Sequence, residues 1–233
     1  KDGAPYLLTK DLTIAANGSG TDKTATLIIE SGATLTFKKD VDLFVGTSTK
    51  DDKGAIQATG VTFKAFNVVD GWGGIDFLPY TDDSNTLLDS CTIQDAAQAI
   101  YCNDSSPTIK NSTITLNTDG IITNSSSSPT LVNNIFSKNT GDIVVLYATQ
   151  IDSNIYGNTY TNDSTNYIEV RSGTSYRLST AAKVYDWLKD GAPYVLNDDL
   201  IVYGDGSTNK PPILNIQSGV TLKFPKDKFL QVG

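Results

Sequence analysis

Apolar residues recur in the same order in four successive copies between Ser84 and Tyr156, with spacings of 21, 22 and 20 residues. A repeat this short cannot bury its own apolar face, so each copy is expected to stack on the next. The columns of equivalent residues are Leu88, Ile109, Leu131 and Ile151 for the first strand, Ile93, Ile114, Phe136 and Tyr156 for the second, and Ile100, Ile121 and Ile143 for the third.

Within one copy, residues 107–127, apolar or small residues occur in pairs two positions apart. Residues two apart lie on the same side of an extended segment, and the Asn, Ser, Thr, Asp and Gly between the pairs favour turns. Three strands and three turns per copy predict one coil of a parallel β-helix, with coils about 4.8 Å apart. A β-sandwich also has short strands at regular spacing, but it does not explain the near-constant period. The pairs are Ile109 and Asn111, Ser112 and Ile114, and Ile121 and Thr123.

This register places Asn111 and Asn133 in one inward column, with Ser90 before and Ser153 after them. We expect these side chains to stack at successive corners of the coils. Their amides would then bond from coil to coil, as in the Asn ladders of stacked β-structures.

A second, longer repeat relates the two ends of the chain. The sequence KDGAPYLLTKDL at Lys1 returns as KDGAPYVLNDDL at Lys189, and LIIESGATLTF at Leu27 returns as LNIQSGVTLKF at Leu214. We therefore divide the chain into a parallel β-helix repeat unit, residues 1–188, and the beginning of the next tandem unit, residues 189–233. We expect residues 189–233 to form strands whose free end meets another copy, so that molecules associate head to tail.

The rest of the chain supplies further strands and one candidate helix. Apolar residues two apart predict strands within residues 12–45, and Ile75 and Phe77 are expected to face inward. Residues 179–188 are the candidate helix that joins unit to unit, or else an irregular junction. Ser179 or Thr180 would be its N-cap, and Ala181, Val184 and Leu188 lie at helical spacing.

The motifs resemble those of a known family. The run WGGIDF at Trp72, the following LLDSCTIQDAAQAIYC and the later SPTIKNSTIT resemble the right-handed parallel β-helix repeats of prokaryotic secreted and cell-surface proteins. The opening DGAPYLLTKDLTI is similar to the lead-in of such helices in large cell-surface chains. The resemblance implies an all-β, pectate-lyase-like fold. It does not imply one activity, because this fold also occurs in pectate lyases, polygalacturonases, phage tailspikes and adhesins.

Charge and hydrophobic content narrow the range of partners. The formal net charge of −8 argues against nucleic acid and anionic membranes as partners. No apolar stretch of about 18 residues occurs, so no membrane insertion is expected. The hydrophobic content of 39% is consistent with the narrow core of a solenoid.

Two cysteines, Cys91 and Cys102, fall in one copy and in inward columns. Two buried free thiols are the favoured interpretation. A disulfide across the coil is the alternative, which an extracellular setting would permit.

Catalysis by histidine is excluded because the chain contains none. Glycoside hydrolysis needs two carboxyl groups at a defined separation, but each candidate aspartate lies at a turn, where Asp is common. The Gly-His-Gly turn and Arg-Ile-Lys run of the similar pectic hydrolases are absent, and the only arginines are Arg171 and Arg177. We therefore expect that the chain is not an enzyme and that it has no catalytic residues and no cofactor. The aspartates considered for glycoside hydrolysis are Asp82, Asp83, Asp95, Asp104 and Asp119.

Two oxygen-rich loops, residues 17–22 and 205–209, are weak candidates for calcium, which prefers such ligands. Neither is followed by a bidentate Glu at fixed spacing, so no metal site is predicted. Asn-X-Ser/Thr acceptors for glycosylation also occur, and the inward Asn111 is expected to be the poorest of them.

Two functional hypotheses remain. The first is a non-catalytic structural or adhesive module of a repetitive extracellular or cell-surface protein, with other copies of the same unit as its partners. The second is a carbohydrate-binding or polysaccharide-processing β-helix, with surface glycans as partners. Aromatic side chains that could stack on sugar rings are Tyr80, Tyr101, Tyr147 and Tyr160.

Overall fold

The computed structural model describes residues 4–17, 23–49, 52–171, 177–180, 182–204 and 210–233. Within these ranges the chain forms short strands, one 3₁₀ turn, η1 (Asp83–Asn85), and no α-helix. The strands are β1 (Tyr6–Leu8), β2 (Leu12–Ile14), β3 (Thr24–Ile29), β4 (Thr34–Phe37), β5 (Asp42–Val45), β6 (Lys53–Thr59), β7 (Thr62–Ala65), β8 (Gly74–Phe77), β9 (Leu87–Asp89), β10 (Thr92–Gln94), β11 (Gln98–Cys102), β12 (Thr108–Lys110), β13 (Thr113–Thr115), β14 (Asp119–Thr123), β15 (Thr130–Val132), β16 (Ile135–Ser137), β17 (Val144–Tyr147), β18 (Ile155–Tyr156), β19 (Thr159–Thr161), β20 (Ile168–Arg171), β21 (Arg177–Leu178), β22 (Val184–Trp187), β23 (Tyr194–Leu196), β24 (Leu200–Val202), β25 (Ile213–Ile216), β26 (Leu222–Lys223) and β27 (Leu230–Val232).

Strands three apart in the chain pair in parallel, so that the backbone winds as a coil through three long sheets. The seven-stranded sheet has the order β1-β4-β7-β10-β13-β16-β19, and the nine-stranded sheet β2-β5-β8-β11-β14-β17-β20-β23-β26. The six-stranded sheet is β18-β15-β12-β9-β6-β3, and two short sheets, β21-β24-β27 and β22-β25, follow near the C-terminal end. The parallel β-helix expected from the sequence is confirmed.

The core consists of one or two inward side chains per strand, repeated from coil to coil. Leu88, Ile109 and Leu131 pair in register, and each is at most 1% exposed. Ile93, Ile114 and Phe136 form a second buried column. Ile75 and Phe77 also face inward as expected.

The predicted register is wrong in the fourth copy, by four residues. Residues 152–154 form an added turn, so the strand begins later than the constant period suggests. Leu131 pairs with Ile155 rather than Ile151, and Phe136 pairs with Tyr160 rather than Tyr156.

The third column is wrong by one residue at its last member, because Ile121 pairs with Val144 and not with Ile143. Gly120 lies against the backbone of Ile143, and a Cβ atom on Gly120 would lie 2.1 Å from the Ile143 carbonyl oxygen. Glycine permits this close approach, which displaces the register by one position.

The inward orientation predicted for Asn111 and Asn133 is wrong, because both side chains are exposed. Their backbones are left-handed, with φ of 52° and 55°, as is that of Ser90. The shifted fourth copy places Gly157, with φ of 72°, where Ser153 was expected. Asn and Gly adopt this conformation at low cost, which allows the chain to turn sharply at the coil corner.

A buried polar ladder does exist, one residue after the predicted column. The backbone N–H of Ser112 donates to Asn134 Oδ1 (3.0 Å), and that of Asn134 donates to Asn158 Oδ1 (2.9 Å). Asn158 in turn donates its N–H to Asp190 Oδ1 (2.6 Å). A second ladder joins Asn117, Asn139 and Asp163 in the same way.

Of the two alternatives for residues 179–188, the helix is wrong, because the segment contains strand β22. Tyr185 and Trp187 are both buried and alternate with less buried neighbours. This alternation lets β22 pair with β25 along four residues. Burial of two large aromatic rings therefore prevails over the helical spacing of smaller residues.

Candidate functional site

Cys91 and Cys102 are buried free thiols, which confirms the favoured interpretation of the sequence. The Cys91 thiol donates to the carbonyl oxygen of Ala58 (3.4 Å), and burial raises the pKa of both thiols. Such thiols are packing elements rather than nucleophiles.

Asp82 and Asp83 organise the turn around η1. Asp82 accepts hydrogen bonds from Thr24, Ser84 and Asn85, and these bonds lower the pKa of its carboxyl to about 2. Asp83 accepts the backbone N–H of Ser106 (2.7 Å), and burial raises the pKa of its carboxyl. Asp82 therefore acts as a turn former, whereas Asp83 ties this turn to the next coil.

The other candidate aspartates are also constrained, by their backbone conformation or by hydrogen bonds to the next coil. Asp95 and Asp104 have left-handed backbones, and Asp104 Oδ1 accepts the Asn124 side-chain amide (2.6 Å). Asp119 Oδ1 accepts the backbone N–H of Asp142 (2.9 Å). The structure joins no two of these five residues in a carboxylate pair across a groove.

Carboxylates that the sequence analysis missed meet on the outer face of the nine-stranded sheet. Burial and the negative charge of Asp42 raise the pKa of Asp76 to about 6. Burial, Asp11 and Asp40 raise the pKa of Asp42 in turn. Asp76 pairs with Tyr101 on the next coil. Only the strand register brings these residues together, so no local motif indicated them.

A second acidic group lies farther along the same face. Burial and the charge of Glu169 raise the pKa of Asp142. Arg171 partly neutralises this group through its ion pair with Glu169 (2.8 Å) and its longer contact with Asp142 (3.8 Å).

The tyrosines proposed for sugar stacking separate into two kinds. Tyr160 is unsuitable, because it stacks on Phe136 with ring centroids 5.0 Å apart and donates its hydroxyl to Asp190. Tyr80, Tyr101 and Tyr147 are partly exposed.

Residues 18–22 and 205–209 of the calcium loops lie outside the described residues. Among the residues described, no group of three or more Cys, Asp or Glu could hold a metal ion.

The expectation that Asn111 is inaccessible to glycosylation was wrong, since its side chain is exposed and donates to Asp89 (2.9 Å).

The first end of the β-helix exposes apolar side chains that belong to the longer repeat. This N-terminal face includes Tyr6 and Leu12, while the neighbouring Leu7 and Ile28 are also exposed but alternate with the inward residues of β1 and β3 and point away from the core. Tyr6 and Leu12 are 55% and 37% exposed, whereas their counterparts Tyr194 and Leu200 are each 1% exposed. An open groove beside these side chains is lined by Leu8, Leu27 and Ile29 as well.

The second block, residues 189–233, forms the expected strands and repeats the pairing of the first. Tyr194 pairs with Leu222 as Tyr6 pairs with Leu35. Leu200 pairs with Leu230 as Leu12 pairs with Leu43. The two similar sequences thus form the same arrangement of paired strands. The boundary at residue 188 stays a prediction, because the nine-stranded sheet crosses it without interruption.

The second block is covered by the coil that precedes it, which we call the junction coil (β20, β21 and β22). Strand β23 pairs with β20, β24 with β21, and β25 with β22. Backbone bonds across this interface run from Ile168 N–H to the Pro193 carbonyl (3.0 Å), from Asn197 N–H to that of Val170 (3.3 Å), and from Ile213 N–H to that of Lys183 (2.9 Å).

Side chains reinforce the junction. The rings of Trp187 and Tyr194 are 5.4 Å apart, and the Tyr194 hydroxyl donates to the Leu188 carbonyl (3.0 Å). Asp190 is the last acceptor of the polar ladder from Ser112, and it also accepts the Tyr160 hydroxyl (3.0 Å). Burial raises the pKa of Asp190. The first residues of the second block therefore complete hydrogen bonds of the first unit.

The other end of the chain exposes a different apolar surface. Phe224 and Val232 are 37% and 75% exposed, whereas their counterparts Phe37 and Val45 are fully buried. The strands that follow on the next coil, β7 and β8, cover these counterparts. The C-terminal face is therefore also a surface that the longer repeat covers elsewhere.

A family model described as "Right handed beta helix region" matches residues 49–181, more than half of the chain. The match agrees with the right-handed coil that the sequence motifs suggested. No curated protein and no solved structure matched the chain. Within the described residues, no helix is long and apolar enough to cross a membrane.

Proposed function

The chain belongs to the right-handed β-helix family, and on this premise we propose that it is a non-catalytic structural or adhesive module of a repetitive extracellular or cell-surface protein. Its units assemble by stacking, so that one β-helix continues from unit to unit. The observation that carries the proposal is the nine-stranded sheet, in which β20 of the first unit continues into β23 and β26 of the second block.

Three further features support this proposal. The candidate aspartates for glycoside hydrolysis are engaged in turns or in hydrogen bonds to the next coil, as described above. The chain has no histidine. The net charge of −8 and the polar turns suit an exposed, well-solvated rod.

Small-angle X-ray scattering of a two-unit chain, residues 1–188 followed by residues 1–233, tests the stacking. One unit contributes seven strands to the first sheet. At about 4.8 Å per coil, the added unit lengthens a continuous rod by about 35 Å. We expect the cross-section to equal that of the 233-residue chain. A hinged or compact two-unit chain would contradict the proposal.

Carbohydrate binding or processing is the second candidate, favoured by the acidic face around Asp76. A carboxyl group that is protonated near pH 6 beside a second carboxylate, Asp42, has the chemistry of an acid and base pair. Tyr101, next to Asp76 on the following coil, offers a ring for a sugar. On this alternative, Asp76→Asn removes binding or cleavage of a polysaccharide, measured by glycan array and by release of reducing ends. If the unsubstituted chain shows neither activity, the structural module is favoured.

A further inference from the structure

The strands of the N-terminal face have counterparts in the second block. Among the described residues, the first set has no coil before it, whereas the second is covered by the junction coil. Nine of twelve residues are identical between positions 1–12 and 189–200. We propose that the N-terminal face is a docking surface for the junction coil of another copy of this repeat unit. This inference rests on the stacking in the proposed function and assigns the two surfaces that meet.

The observed junction gives the register of this contact. In that junction, Tyr194, Val195 and Leu196 pair with Ile168, Glu169 and Val170. The counterparts of the first three in the longer repeat are Tyr6, Leu7 and Leu8, so these would pair with the same residues of the second copy. The Pro5 carbonyl would accept the N–H of Ile168 of the second copy, and the Thr9 N–H would donate to the carbonyl of its Val170. These bonds repeat those of Pro193 and Asn197.

Backbone bonding explains why the surfaces tolerate sequence differences. Leu8, Leu12, Leu27 and Ile29 match Leu196, Leu200, Leu214 and Ile216, whereas Ile28 stands where the second block has Asn215. Asn215 donates to Asp186 (2.8 Å) at the edge of the junction. The apolar centre of the surface is retained, and this polar contact at its edge is not.

The docking also fixes the rotation between units. Strand β1 lies in the seven-stranded sheet, but its counterpart β23 stacks on the nine-stranded sheet. Each unit therefore begins one sheet later than the unit before it. In an array, a surface feature such as the acidic face at Asp76 would move to the next side of the rod with every unit.

Two intact 233-residue chains cannot form this contact with each other, because in each chain the second block already covers the junction coil. Its C-terminal face is the counterpart of a surface covered by β7 and β8, not by β1 and β2. Head-to-tail association of the intact chain, expected from the sequence, would thus bring mismatched surfaces together. Uncovering the junction coil is the condition for docking.

Sedimentation velocity over a concentration series tests this with matched variants of the full chain. Val195→Pro with Leu200→Asp detaches the second block, because Pro removes an N–H and Asp cannot replace a buried leucine. The control, Leu7→Pro with Leu12→Asp, makes the same changes on the N-terminal face. The variant with Val195→Pro and Leu200→Asp, called the opened variant, is expected to reach about twice the mass of the wild-type chain or more. The control is expected to remain monomeric.

The combination of all four substitutions identifies the surface. It is expected to be monomeric, because the uncovered junction coil then lacks an intact N-terminal face to bind. If the opened variant keeps its β circular dichroism but stays monomeric, the proposal is wrong. If the fourfold variant associates as strongly as the opened one, another surface mediates the contact, and the proposal is again wrong.

Hydrogen exchange of the two-unit chain provides a test that needs no destabilised variant. An exposed Lys10→Arg substitution in the second copy marks its peptides by mass. We expect exchange of the second copy's residues 6–14 to be about 100-fold slower than in the 233-residue chain. Unchanged exchange in a two-unit chain that scatters as one rod would overturn only the docking surface. Unchanged exchange in a hinged chain would overturn the proposed stacking as well.

Discussion

Residues 6–14 and 194–202 have closely similar sequences and form equivalent strands, yet they differ in what covers them. Tyr194 and Leu200 are buried under the junction coil, whereas Tyr6 and Leu12 lie on a bare end of the β-helix. The sequence of a coil therefore specifies which side chains face the core, and the neighbouring coil decides how completely they are buried. This dependence on the nearest neighbour is general in repeat proteins.

The largest test of this comparison is a charge placed at equivalent positions in the two blocks. Leu200→Asp buries a carboxylate beneath the junction coil and is expected to lower the free energy of unfolding by about 4 kcal/mol. Leu12→Asp leaves the carboxylate in water and is expected to cost less than about 1 kcal/mol. Urea denaturation of both variants measures the difference. Equal losses would mean that the two blocks have similar surroundings in solution.

The same contrast can be made between two adjacent asparagines. Asn134 is buried, accepts the Ser112 N–H and donates to the Ile109 carbonyl (2.9 Å), so Asn134→Leu leaves buried polar groups unpaired. We expect a loss of about 3 kcal/mol from the several bonds removed. Asn133→Leu changes an exposed corner and adds about 1 kcal/mol of left-handed backbone strain. Thermal melting that ranks the two variants in the opposite order would restore the ladder at the originally predicted column.

A smaller effect distinguishes the acidic face from the turn aspartates by its pH dependence. The folded pKa of Asp76, about 6, is above its unfolded value, so its protonated form stabilises the fold. This contribution is complete below about pH 4 and is lost as the pH rises to about 6. Partial exposure limits it to about 1 kcal/mol. Asp76→Asn should remove this part of the stability–pH curve.

Asp82 is the matched control because its folded pKa, about 2, is lowered. Its contribution is present above about pH 4 and is lost as the pH falls towards 2. Asp82→Asn should therefore flatten the acid side of the curve and leave the region between pH 4 and 6 unchanged. If both variants alter the same region, the environments assigned to the two carboxyls are wrong.

Much of the fold follows from the sequence because one simple pattern is repeated. The columns through Leu88 and Ile93 were predicted correctly for three coils, where the spacing is nearly constant. The fourth coil was not, because a turn of variable length at residues 152–154 changes the register without changing the composition. Asn111 and Asn133 were expected at corners of the coils, but their left-handed backbone and exposed side chains were not, since strict alternation cannot show either.

The candidate surfaces were predictable to different degrees. The end faces could be inferred, because the repeated lead-in shows which residues need a neighbour. The rotation by one sheet could not, since it depends on how many strands the unit contains, and β22 was expected to be helical. The pair of Asp42 and Asp76 required the register of distant strands. Residues far apart in sequence meet in a solenoid only through that register.

Native-state hydrogen exchange of the 233-residue chain tests the central comparison most directly. Peptides covering residues 6–14 and 194–202 report equivalent strands, of which only the second is covered. We predict that residues 194–202 exchange about 100-fold more slowly, with the Asn197 amide, bonded to Val170, among the protected sites. Equal exchange of the two segments would show that the junction coil does not cover the second block, and the account of docking would be wrong.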